Sequence, residues 1–155
     1  ARIVIIGAGA AGCFCAVLLK RRFPQVQVLL LEAGPEPMKK LSLTGGGRCN
    51  ITNAATVPEI IKNIHGNGKF LNSSLRAYDN EDVIYFFESQ GVPTKVERGQ
   101  RVFPVSDKAQ DVVDAMVHKL HELNVKIETD SPVSEILAQD GEVKAVKLQS
   151  GASFK

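Results

Sequence analysis

Three glycines near the amino terminus, Gly7, Gly9 and Gly12, stand as G-x-G-x-x-G within GAGAAG. That spacing suits a diphosphate. The first glycine permits a tight turn, the second leaves no side chain where the ligand nears the backbone, and the third lets a helix pack closely on a strand. Ala10 and Ala11 would then offer first-turn N–H groups at the positive end of a helix dipole. Glu32, followed by Ala33, comes twenty residues after Gly12. An acid at that distance accepts hydrogen bonds from a ribose diol and repels a 2′-phosphate.

The motif carries this meaning only between a strand and a helix. Arg2 to Ile6 (RIVII) is a β-branched apolar run that predicts a strand buried on both faces. Ala10 to Phe23 holds helix formers, with Lys20, Arg21 and Arg22 in the last turn and Pro24 as the stop. Val26 to Leu31 (VQVLLL) predicts a second strand, completing a right-handed parallel βαβ unit. The whole is a site for the ADP half of NAD or FAD alike, and it specifies no reaction.

Downstream, residues 33–124 read as a long crossover insertion carrying helices. Ala33 to Asn53 is expected to be mostly loop. Thr56 with Glu59 forms a capping box, a helix is expected over Phe70 to Tyr78, and Asn80 is read as the N-cap of the helix that stops at Gly91. A short strand is expected over Val102 to Val105. Ser106 or Asp107 then caps a helix reaching Leu123, whose Val112, Val113, Met116, Val117, Leu120 and Leu123 share one arc. Val125 to Glu128 predicts a third parallel strand. Residues 133–155 predict an antiparallel hairpin turning at Asp140 and Gly141, with a further strand after Gly151.

At 155 residues, 44% hydrophobic and 23% charged, the chain is sized and composed for one globular domain. A formal charge of +2 is too small to favour nucleic acid as a partner. Residues 1–50 hold seven basic and two acidic side chains, against twelve and fifteen in the remainder, so an anion is expected at the amino-terminal third. The uncharged stretch Ile3 to Leu19 falls just short of the ~18–20 residues of a membrane span, so no membrane partner and a cytoplasmic location are expected. Cys13, Cys15 and Cys49 suggest neither a disulfide framework nor a metal site. His118 and His121 are read as a solvated helix face, and Arg101 as a minor site candidate.

A second glycine loop lies in TGGGRCNITN, residues 44–53. Gly45, Gly46 and Gly47 leave backbone amides bare for a flat or anionic ligand, and Arg48 adds planar donors. With VIIGAGAAG, LLLEAG, KKLSLTGGGRCNITN and FFESQGVPTKVERGQRVFPVSDKAQDVVDAM, the chain closely resembles the bacterial aminoacetone oxidase or BaiN-like flavoproteins, which have two dinucleotide-binding domains. The resemblance implies an α/β, Rossmann-like three-layer FAD/NAD(P)-binding domain of glutathione-reductase type, with an antiparallel β meander at its C-terminal end. It implies an FAD-dependent oxidoreductase acting on a small-molecule substrate, with NAD(P)H as a candidate electron donor.

Residue by residue, the resemblance matches Gly7, Gly9 and Gly12 to the pyrophosphate loop and Glu32 to the ribose acid. It matches Lys39, Lys40, Thr44, Gly45, Gly46, Gly47 and Arg48 to the segment beside the flavin and its phosphates. Met38 departs from it, standing where glycine is common in the family. Family members are also much longer, so this stretch is expected to be the amino-terminal part of such a protein, with an open sheet edge inviting a homodimer. The runner-up expectations are a non-catalytic NAD- or nucleotide-binding module and a fragment that holds no ligand.

Overall fold

The RIVII run forms β1 (Arg2–Ile6), which breaks at Gly7, whose φ of +97° disfavours any side chain. α1 (Ala10–Arg22) follows with Gly9 as its N-cap. Its C-terminal cations lie where the dipole favours them, and the Lys20 ammonium donates to the carbonyls of Pro24 and Val26. β2 (Gln27–Leu31) pairs in parallel with β1, Arg2 opposite Gln27 through Ile6 opposite Leu31. The structure is a computed structural model describing residues 2–155. Its chain divides into two compact units, one of residues 2–41 and 116–155, the other of Ser42–Ala115.

The stretch expected to be loop contains a short helix, α2 (Lys39–Leu43), and a 3-10 turn over Thr44–Gly46. Five residues are too few for the apolar periodicity that reveals longer helices. Then come β3 (Thr52–Asn53), α3 (Val57–Lys62), α4 (Asn72–Ala77) and α5 (Asn80–Ser89). The capping box of α3 is present: the Glu59 carboxylate accepts from the Thr56 N–H at 3.0 Å and its hydroxyl at 2.7 Å. The helix expected over Phe70 to Tyr78 is split, a 3-10 turn at Gly68–Leu71 preceding α4.

The cap of α5 is Asp79, not Asn80. Asp79 accepts from the N–H groups of Glu81 and Asp82, and the Asp82 carboxylate accepts from the Asp79 N–H. Asn80 is instead buried, its amide donating to the carbonyls of Asn53 and Ala55. β4 (Thr94–Glu97) was not foreseen. It pairs antiparallel with β5 (Arg101–Pro104), which pairs in turn with β3, giving a small second sheet in order β3–β5–β4.

α6 (Ala109–Glu122) buries Val112, Val113, Met116 and Leu120 along the expected arc, while His118 and His121 are exposed. β6 (Lys126–Glu128) pairs in parallel with the far side of β2, so the main sheet runs β1–β2–β6. β7 (Val133–Gln139), β8 (Glu142–Leu148) and β9 (Ser153–Phe154) form an antiparallel meander. Asp140 and Gly141, at φ +53° and +78°, supply the two left-handed positions of a type I′ turn. Leu29 and Leu31 of β2 join Val146 and Leu148 of β8 in one apolar cluster, with Val4, Val133 and Phe154 packed against it. Burial of each such side chain stabilises by about 1.5–3 kcal/mol, which anchors the meander to the strand bearing Glu32 at its end.

Candidate functional site

In the first unit the glycine loop is shaped by backbone requirements. A Cβ on Gly12 would lie 2.0 Å from the Gly7 carbonyl oxygen, so only glycine lets the first turn of α1 close on the strand end. Gly9 is the opposite case: its φ is −75°, and a Cβ there would meet nothing within 4 Å. No side chain caps α1, so the first-turn N–H groups at Ala10, Ala11 and Gly12 have no side-chain acceptor at the helix start.

Glu32 turns back onto this loop. One carboxylate oxygen accepts from the Ala8 N–H at 2.9 Å and the other from the Gly34 N–H at 2.9 Å. The Ala8 carbonyl accepts from the Met38 N–H at 2.8 Å, so both faces of that residue's backbone are held by the chain that follows β2. Each carboxylate oxygen retains acceptor capacity for a diol. Met38 is buried with φ +56°, which explains the glycine common at this position: the turn is left-handed, and methionine adopts it with its side chain in the core. Ala33 and Lys40 are exposed. Cys13 is buried, with its thiol on the Ala8 carbonyl at 3.4 Å; burial, and then the charge of Glu32, push its pKa up to about 12.

In the second unit Gly45, Gly46 and Gly47 take φ of +58°, +69° and +86° in succession. Gly45 backs onto Phe103, where a Cβ would lie 2.9 Å from the ring, whereas Gly46 and Gly47 face open space and are exposed, as is Thr44. The turn is closed by the Gly47 and Cys49 N–H groups, both donating to the Thr44 carbonyl, and the Gly47 carbonyl accepts from the Ala109 N–H.

Arg48 lies across the Phe103 ring, its guanidinium carbon 4.1 Å from the centroid. Its Nη1 donates to both oxygens of Glu97, at 3.0 and 3.2 Å, and to Asp107 at 3.3 Å. Lys95 completes the cluster, 2.6 Å from Asp107 and 3.5 Å from Glu97. The Lys95 hydrogen bond, more than any other contact, holds the Asp107 carboxyl below its ordinary value, and Glu97 raises Arg48. Asp107 is thus no helix cap; its carboxylate is committed to Lys95 and Arg48. Ser106 keeps a local role, accepting from the Lys108 N–H at 3.3 Å.

Sequence reasoning missed Lys95 and Glu97. The available signal was opposite charges two residues apart, which share one face of a strand, but that strand itself went unread. Arg101, the minor candidate, is exposed and donates to the Arg98 carbonyl.

The profile of the HI0933-like protein Rossmann domain matches residues 1–155. The chain belongs to that family. Relatives of this HI0933-like domain include the 3-dehydro-bile acid delta(4,6)-reductase of Clostridium scindens, 36% identical over 129 residues, 83% of this chain and 31% of the relative. Another is the ribosomal RNA dihydrouridine synthase of Escherichia coli, 33% identical over 133 residues, 86% and 32% of the two chains. The chain therefore spans about a third of the length of these relatives. Among solved structures, a 3-ketosteroid-delta4-(5alpha)-dehydrogenase from Rhodococcus jostii RHA1 superposes with a TM-score of 0.69 at 16% identity, covering 97% of this chain and 42% of that one. At that identity the likeness is one of fold. The Rossmann class expected from the βαβ unit and the family expected from the longer segments both hold.

Proposed function

We propose that this domain is the FAD-binding part of a flavin-dependent oxidoreductase, with the ADP moiety held by Gly7, Gly9, Ala10, Ala11, Gly12 and Glu32. The observation that carries the reading is the open space at Gly9 beside the uncapped start of α1, with Glu32 fixed on the Ala8 N–H next to it. Bare amides at a helix N-terminus suit a diphosphate, and a carboxylate with spare lone pairs suits a ribose diol. When bound, the flavin supplies the electron transfer; the chain binds and orients it. On the strength of the resemblance the proposal extends to Ala33, Lys40, Thr44, Gly45, Gly46, Gly47 and Arg48 as further cofactor-binding residues.

The names of the two relatives above support reduction as the direction of reaction, with NAD(P)H proposed as electron donor. A small molecule is the proposed substrate, since the charge of +2 gives little general attraction for nucleic acid. Turnover on ribosomal RNA by the full-length protein would displace that part of the proposal. The cofactor is tested by releasing it from purified protein and titrating FAD and NAD against wild type and Gly9→Val. A Cβ at Gly9 meets nothing within 4 Å, so the variant is expected to fold and to lose FAD affinity by at least about tenfold. Unchanged affinity in the folded variant, or a preference for NAD over FAD, would overturn the assignment.

A further inference from the structure

The Lys95, Glu97 and Asp107 side chains belong to no part of the nucleotide site described above, yet they converge on one end of one residue. All three carboxylate contacts of Arg48 fall on Nη1, leaving Nε and Nη2 outside the ion-pair network. With one end anchored and one face on Phe103, the plane of the guanidinium is fixed, and so are the directions of its other donors. The two carboxylates cancel the two cations, so this corner carries no surplus positive charge for a phosphate. Beside it, Gly46 and Gly47 present backbone with nothing within 4 Å of a would-be Cβ, a surface that a flat group can approach.

We infer that Lys95, Glu97 and Asp107 are positioning residues that preset the free edge of Arg48 for a flat, uncharged acceptor group. The inference rests on the proposed reading of the Gly45–Arg48 loop as cofactor-binding, and it narrows the ligand portion there to the ring rather than the phosphates.

The test follows modification of Arg48 by phenylglyoxal, quantified by mass spectrometry in the full-length protein that carries this domain. Without ligand, Glu97→Gln and Asp107→Asn are each expected to speed Arg48 labelling roughly threefold, the factor set by an exposed ion pair. Lys95→Met frees Asp107 for Arg48 and is expected to slow it. A merely structural role would not move the two kinds of variant in opposite directions, and circular dichroism identifies any variant that fails to fold. Unchanged rates in all folded variants, or faster labelling in Lys95→Met, would overturn the positioning role.

In wild type, FAD and lumiflavin are expected to protect Arg48 and inorganic pyrophosphate is not; equal protection by pyrophosphate would overturn the ligand class. If FAD binds and Gly9→Val weakens it while Arg48 labelling ignores FAD, the inference fails and the proposed function stands. If the wild-type protein takes up no FAD, the proposed function fails, and the ligand-free rates still decide the positioning claim.

Discussion

Gly9 and Gly12 lie three residues apart and respond to a methyl group in opposite ways. At Gly12 the added carbon would sit 2.0 Å from the Gly7 carbonyl oxygen, so Gly12→Ala must push α1 off the strand end. Overpacking of this kind costs about 1–3 kcal/mol, and urea titrations are expected to show that loss in Gly12→Ala and a smaller one in Gly9→Val, where valine is only a poorer N-cap. The cysteines give a second residue-scale expectation. Cys13 and Cys49 are buried and Cys15 is exposed; burial raises the pKa of both buried thiols. A disulfide-exchange reagent at neutral pH should titrate one thiol in the folded chain and all three after denaturation. Fast reaction at Cys49 would show that the Thr44–Cys49 loop opens. At this scale Gly7 and Gly12 were legible because each answers a local backbone requirement, whereas the fold itself makes no such demand at Gly9. The partners of Glu32 were not, because they depend on a turn built by residues up to Met38.

The elements divide according to how much of their signal is local. α1, α3, α6 and the parallel strands were readable from runs, caps and periodicity, although β1, expected to be buried on both faces, is only partly buried. β4 was not: TKVE is short and polar, and it becomes a strand only by pairing with β5. Asn80 was misplaced by one position because Asp79 and Asn80 both suit an N-cap, and only the burial of Asn80 against β3 separates them. The β4–β5 sheet carries a pH expectation. Lys95 and Arg48 hold the folded-state pKa of Asp107 below 3.8, so its stabilising contribution is complete above that value and is lost as pH falls through the lower folded one. Asp107→Asn should therefore melt below wild type at neutral pH, and the gap should close on acidification through that window. A constant gap in thermal melts across the acid range would show that Asp107 acts by packing alone.

For the whole molecule, the sequence made the family legible across all 155 residues, because long loop segments hold more specific information than a glycine fingerprint shared by many dinucleotide sites. The second unit, Ser42–Ala115, lies within the stretch 33–124 read as an insertion, and its small β3–β5–β4 sheet includes the unread β4. No helix among the described residues is long and apolar enough to cross a membrane. β1 and β6 each pair with β2 alone among the described strands, so they are the two edge strands of the main sheet. We propose that the isolated domain self-associates along one of these edges. Light scattering is expected to give twice the chain mass, and a mass equal to one chain removes the idea.

The hold that Glu32 and Met38 exert on Ala8 also bears on the order of events as the polypeptide emerges during synthesis. Contacts spanning some two dozen residues or more give the diphosphate turn its form, so a nascent peptide ending before β2 would carry the full fingerprint without its shape. Competence to capture nucleotide should then arise in a step, once the chain has passed Met38 and the first βαβ unit has closed.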